Sequence, residues 1–539
     1  MPILGVIASS AKGAPGIPTG VTATDVGTAR PYNNGAAVVS FTAGAGATAT
    51  SFTVTSSPGG FTATGASSPL TVTGLQSNVG YTYTVTGTNA SGTSAASAAS
   101  ASRTATTVPQ APTIGTATCQ TGQAYTGSAL VDVSFTAGAT GGKTVTLYTA
   151  TSSSSATGTD VIVTPIFVSQ TVGTSNTYTV TATNANGTSA ASGATASVLA
   201  ASVPQAPTIG TATRGNASAT VAYTANATGG SAVTTFTATS SPSSITGTGA
   251  SPITVSGLTN GTAYTFTLRA TNAFGTSTAS AASNSVTPVA PVSSVEYLVV
   301  AGGGGTSASS GGAGAGGMLD GTLAVSAGSS YTVTIGSGGV GGADPVVSTN
   351  GNPSTFNAVT TTGGGRGGQF QGSPNQNGQN GGSGGGGWRN TGTAGTGIAG
   401  QGNNGSTSTD GSLSGRGGGA GSAATTVTST PPYGVSGSGR SWVNGSSYAG
   451  GGANDVNGSV GGGSGGGNLN QNGSPNTGGG AGSGTAGAAR NGGSGIVIFR
   501  YANTFPDITS VSGGLTFALT NTGGFKYYTF TGGTGTVTI

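Results

Sequence analysis

Seven aromatic and arginine side chains in the second half of the sequence have the chemistry of a recognition site. They are Phe370, Trp388, Arg389, Tyr433, Arg440, Trp442 and Tyr448. Both tryptophans of the chain belong to this set, and each lies beside or near an arginine. Trp, Tyr and Arg dominate the energetics of binding surfaces, and aromatic faces with arginine donors suit sugars or the loops of a surface protein. Three roles stay open: contact with a receptor, capping of the structure that carries these residues, and contact between subunits.

The sequence offers little for catalysis. It has no histidine, one cysteine (Cys119) and nine acidic residues, among which Glu296 is the single glutamate. Without histidine, a His-based triad, a histidine proton shuttle and a histidine zinc site are excluded. One cysteine allows neither an internal disulfide nor a cysteine cluster for metal. The sequence therefore predicts a protein that is not an enzyme, with no cofactor and no metal.

Two patterns look functional, and we interpret both as structural. Residues 137–144 (AGATGGKT) come close to a phosphate-binding loop, but the same loop recurs at 223–231 without the lysine. A phosphate loop needs a helix N-terminus, and here we predict a turn between two antiparallel strands. Calcium-binding glycine repeats need regularly spaced aspartates, whereas the four in the glycine-rich half are isolated. These are Asp320, Asp344, Asp410 and Asp455.

Charge is sparse throughout the 539 residues. There are 13 basic and 9 acidic residues, the net charge is +4, and no stretch contains a cluster of Lys and Arg. Nucleic-acid affinity depends on clustered cations, so no nucleic-acid partner is expected. Residues 1–13 have no basic residue before Lys12 and a short apolar stretch, so we predict no signal peptide and no membrane insertion. Synthesis in the cytoplasm is the corresponding expectation.

The first 290 residues are repetitive. The stretch 108–118 recurs identically at 203–213, and a looser copy lies at 17–24. A second marker, TNAxGTS, ends near residues 94, 189 and 277. Within each copy, apolar residues alternate with threonine, which is typical of half-buried strands. We therefore predict three tandem β domains, at 14–107, 108–202 and 203–289.

These copies resemble fibronectin type III domains. Phe41, Phe135 and Tyr223 follow valine-rich runs at the position of that family's core tryptophan. Leu75 with Tyr81 and Leu258 with Tyr264 have the spacing of six that marks a tyrosine corner, in which a tyrosine fixes the crossing between the sheets. The second copy departs from this pattern, with Gln170 and Asn176 at the two positions. The resemblance implies a sandwich fold and does not indicate a function.

Residues 290–502 form a different, glycine-rich block. The first 300 residues contain 34 glycines, and the next 200 contain 66. Glycine does not recur at every third position, which excludes collagen. Apolar strands at both ends indicate a closed domain, and chains of glycine in polyproline-II conformation can pack closely through backbone hydrogen bonds. We predict such a slab, with the intervening stretches as loops at its two ends and with a small β segment at 503–539.

The glycine-rich block is similar to the polyglycine-II domains of bacteriophage tail-fibre and adhesin proteins. The likeness rests on 297–305 (YLVVAGGGG), 331–336 (YTVTIG), 492–501 (GGSGIVIFRY) and the ending at 524–539. Residues 1–10 also resemble the start of virion proteins of marine and cyanobacterial phages. The expected fold class is all-β: three fibronectin type III-like sandwiches, a glycine-rich domain framed by β-strands, and the C-terminal segment.

This resemblance implies a non-enzymatic virion protein of the tail-fibre or receptor-binding kind. Residues 1–13 would attach it to other virion proteins, and the end loops of the glycine-rich domain would contact a glycan or an outer-membrane protein of the bacterial host. A homo-oligomer is expected. The rival interpretation is an assembly protein, such as a filament subunit, head fibre or capsid decoration, with no receptor role.

Overall fold

The computed structural model describes residues 13–161, 164–343, 345–370, 375–431, 433–454, 465–483 and 488–539. Most of the predicted attachment segment and two of the isolated aspartates, Asp344 and Asp455, lie outside these ranges. The described chain consists of β-strands, extended segments and one 3-10 turn, Arg389–Thr391, which confirms the all-β prediction. None of its helices is long and apolar enough to cross a membrane. Apart from residues 215–217, which group with the second unit, the chain divides after Thr287 into two compact units, and each is described by itself.

The first unit contains three sandwiches. The first consists of β1 (Thr19–Asp25), β2 (Gly35–Thr42), β3 (Ser51–Ser57), β4 (Thr62–Gly65), β5 (Leu70–Leu75), β6 (Gly80–Asn89), β7 (Gly92–Thr93) and β8 (Arg103–Thr104). One sheet has the order β1-β2-β5, and the other has the order β4-β3-β6-β7, with β8 also paired to β6. The alternating apolar residues of both sheets meet in one core, as the period-two pattern predicts.

The next two sandwiches repeat this arrangement. The second consists of β9 (Thr113–Cys119), β10 (Ser128–Thr136), β11 (Val145–Ser152), β12 (Thr157–Asp160), β13 (Ile166–Thr171), β14 (Ser175–Asn176), β15 (Tyr178–Asn184), β16 (Gly187–Thr188) and β17 (Val198–Leu199). The third consists of β18 (Thr208–Arg214), β19 (Ser218–Thr224), β20 (Thr235–Ser241), β21 (Thr246–Thr248), β22 (Ile253–Ser256), β23 (Thr265–Asn272) and β24 (Gly275–Thr276). Each has its own core. Lys143 lies in the loop between β10 and β11, which belong to different sheets and are not the antiparallel pair that the sequence predicts. A strand and not a helix follows this loop.

The tyrosine corners occur where the spacing predicts them. The hydroxyl of Tyr81 accepts a hydrogen bond from the backbone N–H of Gln76 at 3.0 Å, and that of Tyr264 accepts one from Thr259 at 3.1 Å. In the second sandwich, Asn176 donates instead to the buried Gln170 at 3.2 Å. A side-chain amide pair therefore occupies the position of the corner in the copy that lacks the tyrosine.

A ladder of hydroxyl groups borders each four-stranded sheet. In the first sandwich, the backbone N–H groups of β6 donate to Ser94, Ser97 and Ser100 at 2.9–3.1 Å, and each serine donates to the carbonyl of the next residue. The other sandwiches use Ser189, Ser192 and Thr195, and Ser277, Ser280 and Ser283. A spacing of three is that of a polyproline-II segment, so the last segment of each sandwich binds its neighbouring strand partly through side chains.

Successive sandwiches are joined in the same way. The backbone N–H of Ala29 donates to the carbonyl of Asn186 at 2.7 Å, and that of Gly122 donates to Phe274 at 2.8 Å. Thus, a loop of one sandwich binds the TNAxGTS turn of the next at both junctions.

In the second unit, a further sandwich frames the glycine-rich region. One sheet has the order β26 (Met318–Ala324), β25 (Ser294–Val300), β32 (Ile496–Ala502), β35 (Phe525–Gly532) and β34 (Thr516–Thr522). The other has the order β29 (Val359–Thr361), β28 (Ser354–Phe356), β27 (Ser330–Thr334), β36 (Thr534–Thr538) and β33 (Ser510–Val511). A hairpin of β30 (Arg440–Ser441) and β31 (Ser447–Tyr448) accompanies them. Strands from residues 503–539 complete both sheets, which enclose an aromatic core.

Candidate recognition site

The glycine runs between the framing strands pack as extended threads. From Ala301 to Thr306, successive backbone N–H groups donate to Gly317, Asn352, Gly493, Gly314, Thr349 and Arg490. Donors three residues apart therefore bond to the same neighbouring run. This three-residue period is that of a polyproline-II helix, whose hydrogen bonds all go to other segments.

The run from Gly311 to Gly316 shows the same period. Its N–H groups donate in turn to Gly368, Gly415, Ala481, Gly365, Gly418 and Gly478, which belong to three neighbouring runs. Its carbonyl groups accept from three others, through Gly304, Ser383 or Gly386, and Gly452. Six neighbours around one thread define a slab that is held together by its backbone, so the polyglycine-II prediction is confirmed.

Glycine is required in this slab because of close packing. A Cβ atom on Gly304 would overlap the carbonyl oxygen of Gly365, and one on Gly314 would overlap that of Ser383. Neither glycine has a positive φ. The missing side chain is therefore what lets adjacent threads approach.

Hydrogen bonds between the runs identify which loops lie at the same end. At one end, Ala301 donates to Gly317 and Gly317 donates to Thr362, next to the framing strands. We call this the sheet end. At the opposite end, Gly311 donates to Gly368 and Gly368 donates to Gly386. The loops next to these residues lie at what we call the distal end, which comprises 307–310, Phe370, 388–392, 408–413, 428–431 and 433–434.

Phe370, Trp388 and Arg389 form one cluster at the distal end. Phe370 is 47% exposed and packs edge-on against Trp388, with ring centroids 5.6 Å apart. The guanidinium of Arg389 lies over the indole, 4.9 Å from its centroid. The buried indole Nε1 of Trp388 has no hydrogen-bond partner in the part of the chain that the structure describes. The cluster thus presents an aromatic edge, a cation and a buried donor.

Tyr433 is 42% exposed and lies in the loop whose described residues are 428–431 and 433–434. This loop lies beside the loop 408–413, because Ser408 and Val427 form a β-bridge and Thr409 donates to Val427. A groove of about 630 Å³ runs along the loop that carries Tyr433 and is lined by Thr425, Thr426, Thr428, Thr430, Pro431, Gly434 and Val435. Threonine is the commonest residue of this lining.

Asp410 is an acidic group at this end that sequence analysis treats as isolated. The hydroxyl and the backbone N–H of Ser412 both donate to its carboxylate, and these bonds hold its pKa below the ordinary value. Asp410 is therefore an anion at neutral pH. Among the described residues, no group of three or more His, Cys, Asp or Glu side chains could hold a metal.

The other three candidates lie at the sheet end. Arg440 forms an ion pair with Asp320 of β26. Trp442 and Tyr448 are buried, and Trp442 packs perpendicular to Tyr527 with centroids 6.3 Å apart. Asn444 donates to the hydroxyl of Tyr448 at 2.8 Å. In this structure the hairpin caps one face of the framing sheet. The structure therefore does not bring all seven candidates together: four lie at the distal end and three at the sheet end.

Comparison with known proteins finds one family model and several solved structures that resemble parts of the chain. Residues 276–502 match the model of a family described as a glycine-rich domain. Among solved structures, the chain is similar to the FN1–FN3 domains of chicken CNTN1, at 15% identity, with a TM-score of 0.23, over 52% of this chain and 100% of that one. It is also similar to domains A168–A170 of titin, at 17% identity, with a TM-score of 0.21, over 51% of this chain and 99% of that one. No curated protein sequence matches the chain.

Proposed function

We propose that this protein is a non-enzymatic component of a bacteriophage virion, a tail fibre or receptor-binding adhesin. In this proposal, the N-terminal segment attaches it to other virion proteins, and the distal end of the glycine slab contacts a glycan or an outer-membrane protein of the host. The observation that carries the proposal is the grouping of Phe370, Trp388, Arg389 and Tyr433 at that end.

The chemistry of the distal end suits a sugar-rich surface. Exposed aromatic rings provide apolar platforms, and Arg389 supplies donors. Among the described residues the indole N–H of Trp388 has no partner, and an unpaired buried donor costs about 1–3 kcal/mol. A hydroxyl group of a glycan that reached this N–H would accept a hydrogen bond from it. Each contact can be weak, because many copies on one particle raise the effective concentration.

The slab also suits a binding tip. Because its hydrogen bonds join backbone to backbone, the loops between the threads can change without altering the packed glycines. The sandwiches of the first unit would serve as a spacer. The rival role is that of an assembly protein that binds no receptor. It is compatible with the same fold, but it does not require the distal end to be accessible.

Binding of the purified, fluorescently labelled full chain to whole bacteria tests the proposal. The panel contains marine and cyanobacterial strains, each with a derivative that lacks surface polysaccharide. We expect at least one strain to bind the protein and the double variant Phe370→Ser, Tyr433→Ser to bind at least about tenfold more weakly, as expected for hot-spot residues. Phe167→Ser is the control, because Phe167 is 52% exposed but lies on β13.

Equal binding by the double variant and the wild type would contradict the proposed site. Loss of binding to the polysaccharide-deficient derivative would identify a glycan receptor. Retained binding there would point to an outer-membrane protein. If no strain binds the protein, the assembly role becomes the better interpretation.

A further inference from the structure

Strand β34 is an open edge of the framing sandwich. It is the last strand of its sheet, paired to β35 on one side, and all seven of its residues are exposed. Gly523 and Gly524 form the two-residue turn between β34 and β35, with φ values of 55° and 81°. Two positive φ values are those of a type I′ turn, which fixes the register of this hairpin.

The register identifies the backbone groups that face outward. Thr522 and Phe525 flank the turn and are opposite one another. In a two-residue hairpin such a pair is hydrogen-bonded, and bonded and non-bonded pairs alternate along the strands. The backbone N–H and C=O groups of Phe517, Leu519 and Asn521 therefore point away from β35, toward solvent.

The face of the sheet that packs against the core extends onto β34, where the second sheet no longer covers it. Phe517 lies opposite Phe530 and Leu519 lies opposite Tyr528, and both of those partners belong to the sandwich core. Directly opposite residues share a face of the sheet. Phe517 stacks on Phe530 with centroids 5.6 Å apart, yet Phe517 and Leu519 remain 43% and 40% exposed. An apolar strip thus extends beyond the part of the core that the second sheet covers.

This edge lacks the features that usually prevent edge-to-edge pairing. Such features are charged side chains, proline, bulges and very short strands. Residues 516–522 (TFALTNT) contain no charged residue and no proline, and the register shift lies at the first residue of the strand. The opposite edge strand, β26, carries Asp320, which pairs with Arg440 of the hairpin. Therefore, the two edges of this sheet differ in how well they are protected.

We propose that β34 is a dimerisation strand that pairs antiparallel with β34 of a second copy, about a twofold axis at Leu519. This proposal is independent of the proposed receptor role. In this register, Leu519 lies opposite Leu519 of the second copy, and Phe517 lies opposite Asn521. The outward groups of the two strands can form about six N–H···O bonds in three pairs.

The properties of β34 favour an identical strand, from a second copy of the chain, as its partner. With no charge on the strand, two identical copies meet without electrostatic repulsion. The axis at Leu519 brings the outward backbone groups of both copies into register, and the apolar strip of each copy adjoins that of the other. A twofold contact of this kind is self-complementary and closed.

The mass of the full chain in solution, measured by sedimentation equilibrium, tests the pairing. We expect the wild type to have twice the chain mass of 50.2 kDa. Leu519→Lys should reduce the mass to that of one chain, because two lysines would then lie opposite each other at the axis. Thr520→Lys is the matched control, since it adds the same charge on the other face of the strand and off the axis.

Charge complementation separates loss of pairing from loss of folding. Leu519→Lys and Leu519→Glu should each be single chains, and mixing them should restore the double mass. A wild type that stays a single chain would overturn the proposal, whether the edge is free or serves a strand of another protein. A double mass that persists in Leu519→Lys, that is lost in Thr520→Lys as well, or that is not restored by mixing would also overturn it.

Discussion

At the scale of the residue, buried hydroxyl groups in the sandwiches differ in whether they have partners. Tyr81 and Tyr83 lie two residues apart on β6, and both are about 1% exposed. The hydroxyl of Tyr81 accepts from Gln76, whereas the buried hydroxyl of Tyr83 has no partner within the described ranges of the chain. The same strand thus provides a paired test of what the tyrosine corner contributes.

We expect Tyr81→Phe to lower the free energy of unfolding by about 1–3 kcal/mol, because it leaves the N–H of Gln76 unpaired. Tyr83→Phe should leave it unchanged or raise it, because that substitution removes an unpaired buried oxygen. Denaturant titration of the full chain measures both. Equal losses in the two variants would mean that the corner hydrogen bond is not what stabilises the crossing.

Tyrosine burial also predicts a dependence on alkaline pH. Burial raises the pKa of Tyr83 to about 12, with smaller contributions from Tyr81 and Asp25, and burial followed by Cys119 raises that of Tyr178 to about 12. Both phenols hold their protons more tightly in the folded state than in the unfolded state, where the pKa is 10. Their stabilising contribution is therefore complete below pH 10 and is lost as the pH rises toward 12.

Denaturation midpoints measured between pH 9 and pH 12 test this dependence. The double variant Tyr83→Phe, Tyr178→Phe should lose less stability than the wild type over this interval. If both proteins lose stability equally, other groups account for the alkaline transition.

At the scale of the element, hydroxyl ladders and glycine threads use the same three-residue geometry. In the hydroxyl ladders, Ser or Thr side chains accept hydrogen bonds from the N–H groups of a strand. In the glycine threads, the carbonyl groups of neighbouring threads accept them. In both, a single atom at a fixed position in the repeat decides whether the segment fits. Substitutions at neighbouring positions should therefore have very different effects.

Ser280→Ala removes the hydroxyl that accepts from the N–H of the fully buried Leu268 at 2.9 Å. We expect a loss of about 1–3 kcal/mol in the free energy of unfolding and faster hydrogen exchange at Leu268. Thr278→Ala, at an exposed position of the same segment, should change neither. Protection of the Leu268 amide in Ser280→Ala would show that the ladder is not needed.

Gly314→Ala places a Cβ against Ser383, inside the slab. We expect destabilisation of about 1–3 kcal/mol or more from overpacking, observed in the thermal unfolding of the glycine-rich unit. At Gly411 an added Cβ meets its nearest atom, in Asn390, at 3.5 Å, an ordinary contact. Gly411→Ala should therefore be neutral or slightly stabilising. If the two variants have the same unfolding temperature, close packing of the threads does not stabilise the slab.

Local patterns predict much of this fold, and long-range pairings account for what they miss. The spacing of Leu75 and Tyr81 predicts the corner, and the glycine runs predict the slab. The serine ladders also have a signal in the sequence, a serine at every third position from 94 to 100. A search for the two-residue period of strands does not detect it. The pairing of β27 with β36 joins residues about 200 positions apart, and no local pattern indicates it.

The candidate site shows the same limit. The side-chain types of all seven residues are visible in the sequence, but their grouping depends on the direction of each glycine thread. Because the threads have nearly identical sequences, only their hydrogen bonds place Phe370 with Trp388 and place Trp442 against Tyr527. The sequence therefore identifies the residues but does not indicate which end of the slab carries each one.

At the scale of the whole molecule, the two units have different proposed tasks. Three sandwiches with repeated junctions form the first unit, and the second presents loops on a slab that has little side-chain core. The proposed receptor role requires the distal end to be accessible in the assembled virion. The assembly role would allow the slab to be enclosed by neighbouring subunits.

The location of the distal end in assembled particles is the most direct test. A gold label on a cysteine introduced by Ser412→Cys, in the loop 408–413, can be located by cryo-electron microscopy, with Cys119→Ser as the unlabelled background. The account predicts the label at the outer tip of a projecting structure, clear of other subunits. A label enclosed within a lattice of subunits would contradict the receptor role.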